Sequence, residues 1–144
     1  MKRKIQRATL AIACLVGLSV SVAQSNEARP LLTVKQIMNA MITPATATIW
    51  GAYQLETDAQ WQEVSNAALS VIAAGNLLQL GGAGENEASS AAETDWQGYN
   101  QQMIAAARQV IEAVQNRDEE ALSAVGNDAL YPPCESCHQQ YQAR

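Results

Sequence analysis

The chain has 144 residues and a formal net charge of −5, with 48% apolar and only 16% charged residues. That length and apolar content suffice for one domain with a real core. The acidic balance argues against nucleic acid and against anionic membrane surfaces as partners.

The chain opens MKRKIQRATLAIACLVGLSVSVAQ. Lys2, Arg3, Lys4 and Arg7 make a charged start, Ala8 to Val22 an apolar run, and Ser21-Val22-Ala23 supplies small residues for cleavage. A membrane-spanning helix needs about 20 apolar residues, and this run falls short. The expectation is a signal peptide over residues 1–23, a single domain over 24–144, and a periplasmic protein with no membrane insertion after cleavage. Lipid attachment at Cys14 is a rival reading, weakened by the short apolar run before it and by Ala11. Cleavage removes four basic residues and no acidic one, so the net charge falls from −5 to −9. Such a surface suits a basic partner protein. Two cysteines remain, in a compartment where disulfides can form.

A first helical stripe runs Leu31, Val34, Ile37, Met38, Met41, Ile42, Ala45, Ile49 and Tyr53, in steps of three and four. Pro44 either starts a new helix after Thr43 or kinks a continuous one. A second stripe begins at Asp58, a good N-cap, carries Trp61, Val64, Ala68, Val71, Ile72, Gly75 and Leu78, and stops at Gly81-Gly82. GGAGENEASSAAE has no periodicity and is predicted to be a mobile loop. Thr94, with Gln97 three residues on, has capping-box spacing and opens a stripe of Trp96, Tyr99, Met103, Ala107, Val110 and Val114. Asp118 starts a fourth segment through Ala121, Leu122, Val125 and Leu130, broken by Pro132-Pro133. No stretch reads as a strand. The predicted fold is all-α, an antiparallel four-helix bundle with a short last helix.

That last helix carries YPPCESCHQQYQAR, with Cys134, Cys137 and the chain's single histidine, His138. A thioredoxin-type dithiol needs a strand-to-helix junction that this chain does not supply. A structural zinc needs four ligands, and the mature chain holds three Cys or His residues. A Cys134–Cys137 disulfide, in a haem-free helical interaction protein, would close too small a loop to constrain the chain much. Covalent haem accounts for all three residues. Cys-x-x-Cys-His is the c-type attachment pattern, with two thioethers and an adjacent imidazole for the iron.

A Cys-x-x-Cys-His in the last helix of four, with CESCHQQY and the first-helix segment TVKQIMNAM, resembles the cytochrome c′ family and its low-spin relatives. The resemblance covers about residues 31–144. It implies one haem c attached through Cys134 and Cys137, with His138 as the proximal iron ligand. Tyr141 matches an aromatic common after that histidine. Where the family often carries an arginine, this chain has Gln142, with Arg144 two residues on. Proximal gas chemistry is therefore not implied, and Pro132-Pro133 departs from the family's continuous last helix. A first-helix residue faces the iron in the family, and alignment puts Met41 there, with Met38 as the second candidate. A thioether ligand favours electron transfer, whereas an open iron position would favour binding or scavenging of nitric oxide or carbon monoxide. Both methionines could also be core filler. Family members often pair through their first two helices, which implies a possible homodimer.

Trp50, Trp61 and Trp96, with Tyr53, Tyr99 and Tyr131, are expected in the core or around the haem. Lys35 and Arg108 could pair with haem propionates but are expected to be solvated. No nucleophile–base pair, phosphate loop or carboxylate pair supports an enzyme. The sequence therefore predicts a one-electron carrier with a basic redox partner.

Overall fold

The computed structural model describes residues 29–142, so the signal peptide, Cys14 and Arg144 lie outside the described residues. Those residues form helices and no strand. No helix among them is long and apolar enough to cross a membrane.

Thr33 opens the first helix with a reciprocal cap. Its Oγ1 accepts from the Gln36 backbone N–H, and Gln36 Oε1 accepts from the Thr33 N–H. Helix α1 (Val34–Ile37) passes through a π-helical turn, Met38–Ile42, into α2 (Thr43–Trp50). Residues 34–50 are thus one helical run. In an α-helix the Pro44 ring would press on the carbonyl four residues back. The π turn opens this stretch, and the Thr43 N–H reaches Met38 O, five residues back.

Helix α3 (Asp58–Leu78) follows, and its cap differs from the sequence expectation. Thr57, not Asp58, is the N-cap, because Gln60 lies three residues beyond it and completes a capping box. After the Gly81 turn comes a short helix, α4 (Glu87–Ala91), inside the segment expected to be a mobile loop. The Glu87 carboxylate pins it in place by accepting from the backbone N–H groups of Val34 and Gly84 at 3.0 and 2.8 Å. A Cβ at Gly82 would collide with that carboxylate.

Helix α5 (Thr94–Asn116) has Glu93 at its cap position with no side-chain cap bond. Thr94 is already inside the helix. The expected capping box does not form, because Gln97 instead donates to Ala91 O and Gln79 O and stitches α5 to the preceding turn. Asp118 does cap α6 (Glu119–Ala124), accepting from the Ala121 N–H at 2.9 Å. A second π-helical stretch, Val125–Leu130, leads into α7 (Tyr131–Cys137) and a last π-helical turn, His138–Gln142. Pro132-Pro133 is therefore no break, and residues 119–142 run as one continuous helix.

Helices α3 and α5 pack along each other and carry the centre of the core, with Val64, Val71 and Val110 fully buried. Their approach is close at Gly75, where an added Cβ would stand 2.5 Å from Ile104 Cγ1. Helix α2 lies on α3, and residues 125–137 lie on α5, sealed by Leu122 and Leu130. Leu31, expected on the first apolar stripe, is 91% exposed.

Candidate functional site

Two prolines set the motif helix. Each lacks a backbone donor, and each would clash with a carbonyl in a regular helix interior. In the stretch before them the Tyr131 N–H bonds Gly126 O, five residues back, so the helix is already widened where the two prolines enter it. Pro133 is buried, and Cys134 Sγ donates to Leu130 O at 3.2 Å. Cys134 and Cys137 lie about one turn apart on this helix, with His138 directly after.

All three residues line a partly open cavity of about 290 Å³. Its other walls come from Met38, Ile42, Thr46 and Trp50 on the 34–50 run, from Leu78 at the end of α3, and from Trp96, Tyr99, Asn100 and Met103 on α5. Most polar atoms of these walls are tied to backbone, the Tyr99 hydroxyl to a side chain. Trp50 Nε1 donates to Gly126 O at 2.9 Å and Trp96 Nε1 to Leu78 O at 2.8 Å. Thr46 Oγ1 donates to Ile42 O, and Asn100 Nδ2 to Gly75 O. Asn100 Oδ1 has no partner, but it is shut off from solvent and so does not face the open space. What the cavity presents is ring faces, methyls, thiols, two thioethers and an imidazole. Such a lining suits a flat apolar ligand.

Burial pushes the Cys134 thiol above its usual range, against a smaller opposite effect of its hydrogen bond. Burial, and secondarily the neighbouring Cys134, push Cys137 up to about 11. Both sulfurs are held as thiols at neutral pH. A redox dithiol depends on a stabilised thiolate, so this environment opposes that chemistry. Among the described residues, no three His, Cys, Asp or Glu side chains gather as a set that could hold a metal ion.

The methionines change places relative to the sequence reading. Met38 lines the cavity, whereas Met41 lines a shallow depression against α3 with Pro44, Glu63 and Asn66. The π turn between them is the physical reason, since it turns Met41 away from the face that Met38 shares with Ile42 and Thr46. Met103 joins Met38 at the cavity, a role its place on the α5 stripe gave no means to separate from ordinary core. Lys35 and Arg108 are exposed and do not line it. Trp61 and Trp96 are buried as expected, but Tyr53 and Tyr131 are 75% and 49% exposed.

Beyond the motif, the last turn is fastened to the start of α5. Tyr99 OH donates to Gln140 Oε1 at 3.2 Å, Gln140 Nε2 donates to Asp95, and Tyr141 OH donates to Glu93 at 3.0 Å. The Tyr141 ring meets Trp96 edge-on at 5.0 Å. These contacts hold the helix carrying His138 against α5. No family model, curated protein or solved structure matches the chain.

Proposed function

We propose that the chain is an exported monohaem c-type cytochrome that carries single electrons. One observation supports this reading above the rest: Cys134, Cys137 and His138 on one helix and Met38 on another line a single apolar cavity. The residues present fit the group. Two sulfurs a turn apart on one helix would form the two thioethers, and the adjacent imidazole of His138 would supply an iron ligand. Trp50 and Trp96, with their N–H donors tied to backbone carbonyls, offer apolar ring faces for packing. When bound, haem supplies a one-electron ferric–ferrous couple. Cys134 and Cys137 would hold it, the Gln140 and Tyr141 contacts would steady the turn that carries His138, and the apolar walls would pack against it. Met38, which lines the same cavity as His138, would be the candidate second iron ligand, and a thioether in that role would favour electron transfer over gas binding.

This reading keeps the likeness to the cytochrome c′ family, the antiparallel four-helix arrangement and the signal peptide as parts of one proposal. The raised thiol pKa values support it over a redox dithiol. The test is expression with residues 1–23 intact in a host that loads c-type haem. The expected product is red, loses the leader, gains the mass of one haem and keeps its colour through denaturation and acid-organic extraction. A colourless protein lacking that mass would overturn the reading.

A further inference from the structure

Trp50 stands where the cavity wall meets the exposed Tyr131. It lines the cavity, yet 46% of it is exposed, and its ring is fixed by the bond to Gly126 O. Tyr131 meets it edge-on at 6.4 Å and 65°. Tyr131 is 49% exposed and does not line the cavity, so its exposure is independent of whatever fills that space. Pro132, next along, is also exposed. The result is a fixed aromatic patch on the outer face of the cavity wall.

The helix that carries Tyr131 bears charge of one sign. The helix over residues 119–142 carries Glu119, Glu120, Asp128 and Glu135 and no Lys or Arg. Glu119 is engaged elsewhere, accepting from the backbone N–H groups of Gln54 and Leu55. Asp128 stands two residues past the carbonyl that holds Trp50, Glu135 about one turn past Tyr131, and both are exposed. Aromatic anchors inside a charged rim are the usual make-up of a protein interface: anchors dominate affinity, and rim charges steer encounter and choose the partner's sign.

We propose that Trp50 and Tyr131, flanked by Asp128 and Glu135, form the docking surface for a protein that presents lysines around an apolar centre. A second copy of this chain would bring carboxylates against carboxylates, which disfavours self-association through this face. The proposal deepens the electron-carrier reading, because a partner seated here would meet the cavity through one side chain, Trp50. Binding is measured separately from electron transfer, so the two can fail separately.

The experiment uses the full haem-loaded protein and, as probe, a small cytochrome c with a lysine rim. Calorimetric or NMR titration gives Kd for the parent, Tyr131→Ala, Glu135→Lys and, as a distant acidic control, the exposed Glu63→Lys on α3. Tyr131→Ala and Glu135→Lys are each expected to weaken binding by about fivefold or more, with Glu63→Lys within about twofold. Shifted NMR signals should cluster at residues 126–135. Equal weakening by Glu63→Lys would reduce the surface to general charge attraction and overturn the proposal. An unchanged Kd in Tyr131→Ala would overturn it too, as would concentration-dependent self-association with the same shift pattern. A preparation without covalent haem refutes the cytochrome reading while leaving the binding comparison interpretable.

Discussion

Two kinds of helix make up this protein. The α3–α5 pair contains no proline, stays α-helical from end to end and buries its small residues deeply, with Ala68, Val71, Ala74, Ala107 and Val110 at 0% exposure. The 34–50 and 119–142 runs each contain proline and each open into π-helical turns beside it. Most of the cavity's wall residues, among them Met38, Ile42, Trp50, Cys134, Cys137 and His138, come from those irregular runs. The central pair supplies tight packing. The outer pair accepts irregular backbone, and in return it aims side chains a regular helix would turn elsewhere.

That division predicts which substitutions remove function and which remove stability. The largest effect is expected from Cys134→Ala combined with Cys137→Ala. Both thioethers are then impossible, so the haem should be extractable by acid-organic solvent, while the α3–α5 core stays folded by circular dichroism. A covalently retained haem in the double variant would contradict the proposed attachment. Next comes Gly75→Ala in the central pair. The added methyl meets Ile104 at 2.5 Å, and overpacking of this kind typically costs about 1–3 kcal/mol. Denaturant unfolding should show the loss, with the visible spectrum of the loaded protein unchanged. A neutral result would mean that α3 and α5 separate more easily than their packing suggests.

The sequence made the central pair legible and the outer pair only half so. The steps of three and four from Trp61 to Leu78 and from Trp96 to Val114 are the local signature of one buried face, and both helices stand where that signature puts them. The grouping of Cys134, Cys137 and His138 was legible because the three are nearly contiguous in the chain, and they do line one cavity. Proline was misread in one case and left open in the other, because local rules describe a break or a kink and not a widened turn that carries the helix onward. The same widening separated Met38 from Met41, whose spacing in the sequence gave no preference for Met38. Helix α4 escaped notice for another reason. Its anchor is Glu87 reaching across the chain to Val34, a contact with no local pattern. The Thr57–Gln60 box was readable in the sequence, but Asp58, an equally good cap residue beside it, masked it.

A third prediction sharpens the account of the outer pair. Met38→Ala should change the axial field of the haem: a low-spin ferric spectrum should become high-spin, any weak methionine-to-iron absorption should vanish, and carbon monoxide should bind more readily. Met41→Ala should leave all of these unchanged, since that side chain faces the depression against α3. Stability should move little in either case, as neither residue is fully buried. Identical spectra for parent and Met38→Ala would leave Met38 as packing and turn the reading toward an open iron.

The smallest expected effect is a pH dependence of the haem-free protein, and it isolates the motif from everything else. Burial pushes Cys137 up to about 11, above the ordinary range of a thiol, and Cys134 shifts in the same direction. A thiol whose pKa is raised by folding favours the folded state fully below the unfolded pKa, and loses that contribution as pH rises through the folded value. Between about pH 9 and 11 the unfolded chain releases its proton first, so folded stability should fall across that window. Cys137→Ala should flatten the fall. Covalent attachment of haem should abolish it as well, because a thioether sulfur has no proton to lose. Unfolding midpoints in urea, taken at intervals from pH 7 to 11 on the haem-free protein, the variant and the loaded form, make the comparison. A slope that persists unchanged in Cys137→Ala would remove burial of this thiol as its cause.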